Sequence, residues 1–84
     1  MARRRGEFQI LVDILRISLR GVKVTHLMYK ANLSYTTLRK YLTRMSKQGL
    51  IRTSTNNGYT IYFATDKGKL LLNRLNEVNS VLHV

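Results

Sequence analysis

THLMYKANLSYTTLRKYLTRMSKQGLIRTSTNNG, residues 25–58, decides how this chain folds. A short amphipathic stretch, a tight break at Asn32-Leu33 and a longer periodic stretch follow one another with no proline. Ser34 stands where a hydroxyl accepts from the free amides that open a helix. Leu38, Tyr41, Leu42 and Met45 then recur at three- and four-residue steps. That spacing predicts a helix over about residues 34–48 with one buried side, ended by Gly49. Residues 50–55 read as a strand. Asn57-Gly58 is the pair a type I′ hairpin turn requires, since both positions need positive φ.

Downstream, residues 59–65 (YTIYFAT) are aromatic and β-branched, as a returning strand should be. With Asn57-Gly58 at the turn, Thr53 faces Tyr62 and Ser54 faces Ile61. Ile51, Tyr62 and Ala64 then share the face expected to meet the core, and Tyr59, Ile61 and Phe63 share the other. Thr65 is placed to cap a last helix over residues 66–82, with Asp66 favourable against its dipole. Upstream, Thr25 is the expected N-cap of a short helix over residues 26–31, and Val22-Lys23-Val24 alternates like a strand fragment. A first helix starts at Glu7, carries Phe8, Leu11, Ile14, Leu15 and Leu19 on one stripe, and ends at Gly21. Residues 1–6 (MARRRG) read as a flexible basic arm with nothing to pack, ahead of one domain over residues 7–84. The order is helix, strand fragment, helix, helix, strand, strand, helix. This predicts an α+β but mostly α fold, a helix-turn-helix with a two-stranded wing.

Charge points toward the partner. Fifteen Lys and Arg against four Asp and Glu give +11 on 84 residues. Nine basic residues and no acidic one lie between Asp13 and Asp66. Such self-repulsion opposes a compact state, so an anionic partner is expected, polyphosphate ahead of an anionic membrane surface. The third helix concentrates the signal. At about 100° per residue, Thr36, Lys40, Thr43 and Lys47 lie opposite the buried side, flanked by Thr37, Arg39 and Arg44. An ordinary solvated helix face would mix in Glu and Asp, and here there are none. Arg and Lys bind guanine edges or phosphates, threonine reaches base edges or a thymine methyl, and an α-helix fits the major groove. Tyr35, in the first turn, either touches DNA or packs locally. Arg52 at the base of the wing is a phosphate candidate. Arg3, Arg4 and Arg5 match the basic arms that follow phosphates or a minor groove, or are an incidental terminus.

Other chemistry finds no support. There is no cysteine, and His26 and His83 lie far apart without spaced acidic partners, so no metal or other cofactor is expected. The acids form no carboxylate pair, nothing resembles a nucleophile with its base, and no glycine-rich phosphate loop occurs. No small-molecule ligand or enzymatic activity is expected. The best apolar run, residues 8–19, is broken by Asp13 and Arg16, so no membrane span is expected. Together with the missing cysteines this suggests an intracellular protein.

Residues 25–51, followed by YFATDKGKLLL at residues 62–72, resemble the small archaeal winged-helix DNA-binding proteins, including the ten-kilodalton Sulfolobus-type chromatin proteins. Similar archaeal virus or plasmid proteins fit equally well. The run Met-Tyr-x-Ala-Asn-Leu-Ser-Tyr at residues 28–35 is the most specific part. The resemblance implies DNA binding by the third helix and homodimerisation through the C-terminal helix. The chromatin-type members extend that helix into a long coiled coil, whereas here the chain stops at Val84, which favours a compact dimeric regulator. The residues themselves add Leu71, Leu75, Val78 and Leu82, spaced four, three and four like a coiled-coil seam. Leu72 and Val81 would widen that seam, Phe63 would contribute, and Leu70 would point back to the domain. The alternative is a helix packed wholly within its own domain. Double-stranded DNA is therefore the expected partner, for a homodimeric transcription regulator. A sequence-tolerant DNA-coating protein and a module docking an acidic protein compete with it. RNA is disfavoured, because the deep, narrow A-form major groove is poorly readable.

Overall fold

A computed structural model describes residues 5–82. Its elements are α1 (Glu7–Ile17), β1 (Val22–Lys23), α2 (Val24–Ala31), α3 (Tyr35–Lys47), β2 (Ile51–Asn56), β3 (Tyr59–Ala64) and α4 (Asp66–Leu82). The strands form one antiparallel sheet in the order β1-β3-β2. The expected hairpin register is the observed one: Thr53 pairs with Tyr62 and Ser54 with Ile61. Asn57 and Gly58 take φ of 52° and 83°, the double positive φ of the type I′ turn.

Local chemistry sets each boundary. The Ser34 hydroxyl accepts from the Thr37 amide at 3.2 Å and opens α3. α2 closes on Asn32 in the left-handed region (φ 54°), with the Leu33 amide reaching Met28 O at 3.1 Å and the Asn32 amide reaching Tyr29 O at 3.2 Å. This six-to-one and five-to-two pair satisfies the last carbonyls of α2 and redirects the chain into α3 within two residues. Thr65 caps α4 by accepting from the Gly68 amide at 3.0 Å, as expected, and its hydroxyl donates to Gly49 O at 2.5 Å. α4 is thereby tied to the end of α3. The start of α2 differs from expectation. Val24 is already helical and Lys23 is the N-cap, without a side-chain bond, so Thr25 lies inside the first turn. Antiparallel pairing of Val22 with Tyr62 and Lys23 with Ile61 ends the strand there and starts the helix two residues earlier.

The core is built from Val12, Ile14 and Leu15 of α1, Val22 of β1, Leu27 of α2, Leu38, Leu42 and Met45 of α3, Leu50 and Ile51 at the start of β2, Tyr62 and Ala64 of β3, and Leu72 of α4. The face assigned to Ile51, Tyr62 and Ala64 is the buried one. The first helix departs from its expected stripe. It ends at Ile17, where the Ser18 hydroxyl turns back to Ile14 O at 2.7 Å, and Leu19 falls in the exposed turn beyond. Phe8 is also exposed, while Asp13 is buried.

Candidate nucleic-acid interface

α3 carries the surface the sequence singled out. Leu38, Leu42 and Met45 anchor one side in the core, and Tyr41 is half-buried beside them. Rotation by one helical half-turn then leaves Thr36, Lys40, Thr43 and Lys47 exposed. Tyr35 stands 57% exposed at the entrance of the helix rather than packed against the domain. Thr37 has a different job: half-buried, its hydroxyl oxygen accepts from Ser34 Oγ at 3.0 Å and completes the cap.

Two flanking cations are held in place. The Arg39 guanidinium donates to the Tyr62 hydroxyl at 3.2 Å, so β3 fixes a side chain of α3. Arg44 lies 5.7 Å over the Tyr41 ring and 3.8 Å from the Glu7 carboxylate, an exposed and weak pair leaning toward α1. A shallow depression runs along Tyr35, Thr36, Arg39, Lys40, Thr43 and Arg44. A crease between α3 and the wing is lined by Arg39, Leu42, Thr43, Ser46, Lys47, Thr53 and Tyr62. Arg39 and Thr43 belong to both, so the surface is continuous from the start of α3 to β2. Its chemistry is cations, hydroxyls and the two tyrosine rings, with no carboxylate on α3.

Other candidate residues are not brought to that surface. Arg52 lies with its guanidinium carbon 4.4 Å over the Phe63 ring, on the sheet face turned away from α3. Arg5 is engaged inside the domain. It donates to Asp13 Oδ2 at 2.7 Å, to the carbonyl of Ala31 and to that of Asn32 at 3.1 Å. The expectation that residues 1–6 have nothing to pack is therefore corrected at Arg5, because the buried Asp13 and the carbonyl end of α2 both need a donor. Arg3 and Arg4 lie outside the described residues. Asp13 also accepts from Gln9 at 2.8 Å and Arg16 at 2.7 Å. The spacing of Gln9, Asp13 and Arg16 on one helix was the available signal for this cluster. For the bond between Arg39 and Tyr62, 23 residues apart, there was none.

The expected seam on α4 divides in two. Leu71 and Leu75 are half-buried and pack on the core. Val78 and Leu82 are 52% and 72% exposed, with Val81 beside them at 74%. Leu72 is part of the core rather than of the seam, and Leu70 is exposed rather than turned inward. Phe63 is half-buried on the outer face of the sheet, with Arg52 over its ring. Among the described residues no group of three His, Cys, Asp or Glu could hold a metal ion, and no helix is long and apolar enough to cross a membrane.

A short helix, a three-residue break, a helix with a polar outward face and a hairpin beside it define a winged helix-turn-helix protein. The chain belongs to that family, which it matches over residues 4–83. It is similar to an uncharacterized protein of Methanocaldococcus jannaschii, 33% identical over 81 residues. That alignment takes in 95% of this chain and 36% of the relative, so the chain spans about a third of the relative's length. Among solved structures it is similar to Sso10a-2, a DNA-binding protein from Sulfolobus solfataricus, at 34% identity and a TM-score of 0.84, covering 94% of this chain and 83% of that one. The transcriptional regulator BldR of Sulfolobus solfataricus shares the fold at 19% identity and a TM-score of 0.80, covering 88% of this chain and 56% of that one. The resemblance to small archaeal winged-helix proteins stands.

Proposed function

We propose that this protein binds double-stranded DNA as a small homodimeric transcription regulator, with α3 in the major groove. The observation that carries the reading is the acid-free outward face of α3, where Thr36, Lys40, Thr43 and Lys47 stand exposed beside the held Arg39. An α-helix fits the major groove, so Thr36 and Thr43 reach base edges while Arg39, Lys40, Arg44 and Lys47 meet flanking phosphates. Tyr35 enters at the helix start, and Arg3 and Arg4 add basic charge for phosphate contacts. The 34% identity to a DNA-binding protein of the same fold supports the partner.

Dimerisation follows from α4. Val78, Val81 and Leu82 extend an apolar surface beyond the core that Leu72 completes, and Leu71 and Leu75 border it. A twofold pair would present two copies of α3 to half-sites about 34 Å apart, one turn of DNA.

The test is selection of binders from random duplex DNA, followed by affinities at two salt concentrations. An enriched motif with a twofold repeat is the expected result. Uniform, steeply salt-dependent binding would replace the regulator with a DNA-coating protein, and absence of duplex binding would overturn the reading.

A further inference from the structure

The cations of this domain outnumber the uses found so far. Arg5 and Arg16 are consumed by Asp13, Arg44 leans on Glu7, and Arg39, Lys40 and Lys47 belong to the α3 surface. Lys30 lies on α2 and Lys67, Lys69 and Arg74 on α4, whereas Lys23 and Arg52 share the outer face of the sheet, with Arg20 in the turn that leads into β1. Among the described residues none of these three is ion-paired, and neither the strands nor the turns joining them carry an acid.

This face is built rather than merely charged. Lys23 Nζ sits 3.8 Å from the centroid of the Tyr59 ring, and Arg52 lies 4.4 Å over Phe63, its direct cross-strand partner. Phe63 is wedged from behind: a Cβ on Gly21, whose φ is +91°, would fall 2.5 Å from Phe63 Cε1 and 3.1 Å from Ile61 Cγ2. Arg52 therefore rests on a ring hemmed in by Gly21, while Lys23 rests on the exposed ring of Tyr59. A guanidinium stacked on a ring keeps its in-plane N–H donors free for an anion, and a cation already positioned loses less entropy on binding one. The Tyr62 hydroxyl, on the opposite face, bonds Arg39 of α3. The two cationic surfaces thus look away from each other across one sheet.

We propose that the outer sheet face is a second phosphate-backbone site, so that one protomer engages two DNA duplexes, one at α3 and one at Arg20, Lys23 and Arg52. The inference rests on the proposed function for the identity of the anion as duplex DNA. Two or three phosphate contacts carry no sequence information and give a weak, salt-sensitive second event, with a log–log salt slope of about −2 to −3.

The experiment uses the full chain and two copies of one 20-base-pair duplex, one immobilised and one fluorescent, at roughly 50 mM salt, where phosphate contacts are strong. Fluorescence retained on the support reports a protein holding both. The wild type is expected to retain the second duplex. The Lys23→Gln, Arg52→Gln variant should bind a single duplex within about twofold of wild type yet lose capture of the second at least tenfold. A charge-preserving Lys23→Arg, Arg52→Lys variant should restore capture, which separates charge from packing of the rings. Unchanged capture by the glutamine variant would overturn the inference by assigning bridging to paired copies of α3. An equal loss of single-duplex affinity would overturn it too, by placing these cations on the same duplex as α3. A wild type that binds one duplex and never two refutes this inference alone, whereas one that binds none refutes the reading of α3.

Discussion

Removing residues 1–5 should destabilise the domain, although Arg5 contributes nothing to the apolar core. The perturbation deletes one of three donors to a buried carboxylate. Arg5 and Asp13 are 2.7 Å apart with side chains 28% and 12% exposed, so the pair lies between a surface ion pair and a buried one. Breaking a buried pair costs about 3–5 kcal/mol, and exposed pairs contribute about 0–1 kcal/mol. Arg16 and Gln9 stay on Asp13 at 2.7 and 2.8 Å and limit the damage. The freed carbonyls of Ala31 and Asn32 regain water, since the Asn32 contact is exposed. A loss of about 1–2 kcal/mol follows, which for a domain of this size lowers Tm by about 4–16 °C. The assay is thermal and urea unfolding at one fixed protein concentration, comparing removal of residues 1–5 with removal of residues 1–4. The shorter cut keeps Arg5 and should leave stability unchanged while weakening DNA binding with a shallower salt dependence. Equal midpoints for both truncations and the wild type would refute the reasoning and leave Arg5 an ordinary surface cation.

The remaining predictions concern α3, the wing and α4. Lys40→Ala should weaken binding to all duplexes alike and reduce the magnitude of the salt slope by about one, as titrations at several salt concentrations will read. Tyr62→Phe keeps the buried ring but frees Arg39; duplex affinity should fall by about 1 kcal/mol while the unfolding midpoint moves little, and an unchanged affinity would show that this bond does not position the guanidinium. Leu75→Glu with Val78→Glu should yield a monomer by light scattering with much weaker DNA binding; a wild type that is monomeric at tens of micromolar, concentrations well above ordinary working affinities, would sink the dimer. Gly68→Ala should cost about 1–3 kcal/mol in urea unfolding, because its Cβ would strike the Leu50 carbonyl, and near-wild-type stability would mean that α4 can slide on the end of α3.

Much of this architecture was legible in the chain because its determinants are short-range. Ser34 and Thr65 cap the helices they precede, and Asn57-Gly58 alone sets the hairpin register that buries Ile51, Tyr62 and Ala64. The outward face of α3 was equally visible, since helical periodicity and the missing acids are both properties of consecutive residues. Where a boundary was misread, a distant segment had intervened: pairing with Tyr62 and Ile61 trims β1 and starts α2 at Val24.

Only the tertiary structure decided how each cation is used. Sequence assigns a charge to Arg5, Arg39 and Arg52 but cannot say what faces it. Folding sets Arg5 on Asp13 and the end of α2, ties Arg39 to Tyr62 and lays Arg52 over Phe63 on the far side of the sheet. The same holds for α4, where Leu71, Leu72 and Leu75 meet their own domain and Val78 and Leu82 do not. The physical reason is the range of the forces. Capping, turn and periodicity preferences act within a few residues, while ion pairs, ring stacking and burial depend on which distant segments the packed core brings together.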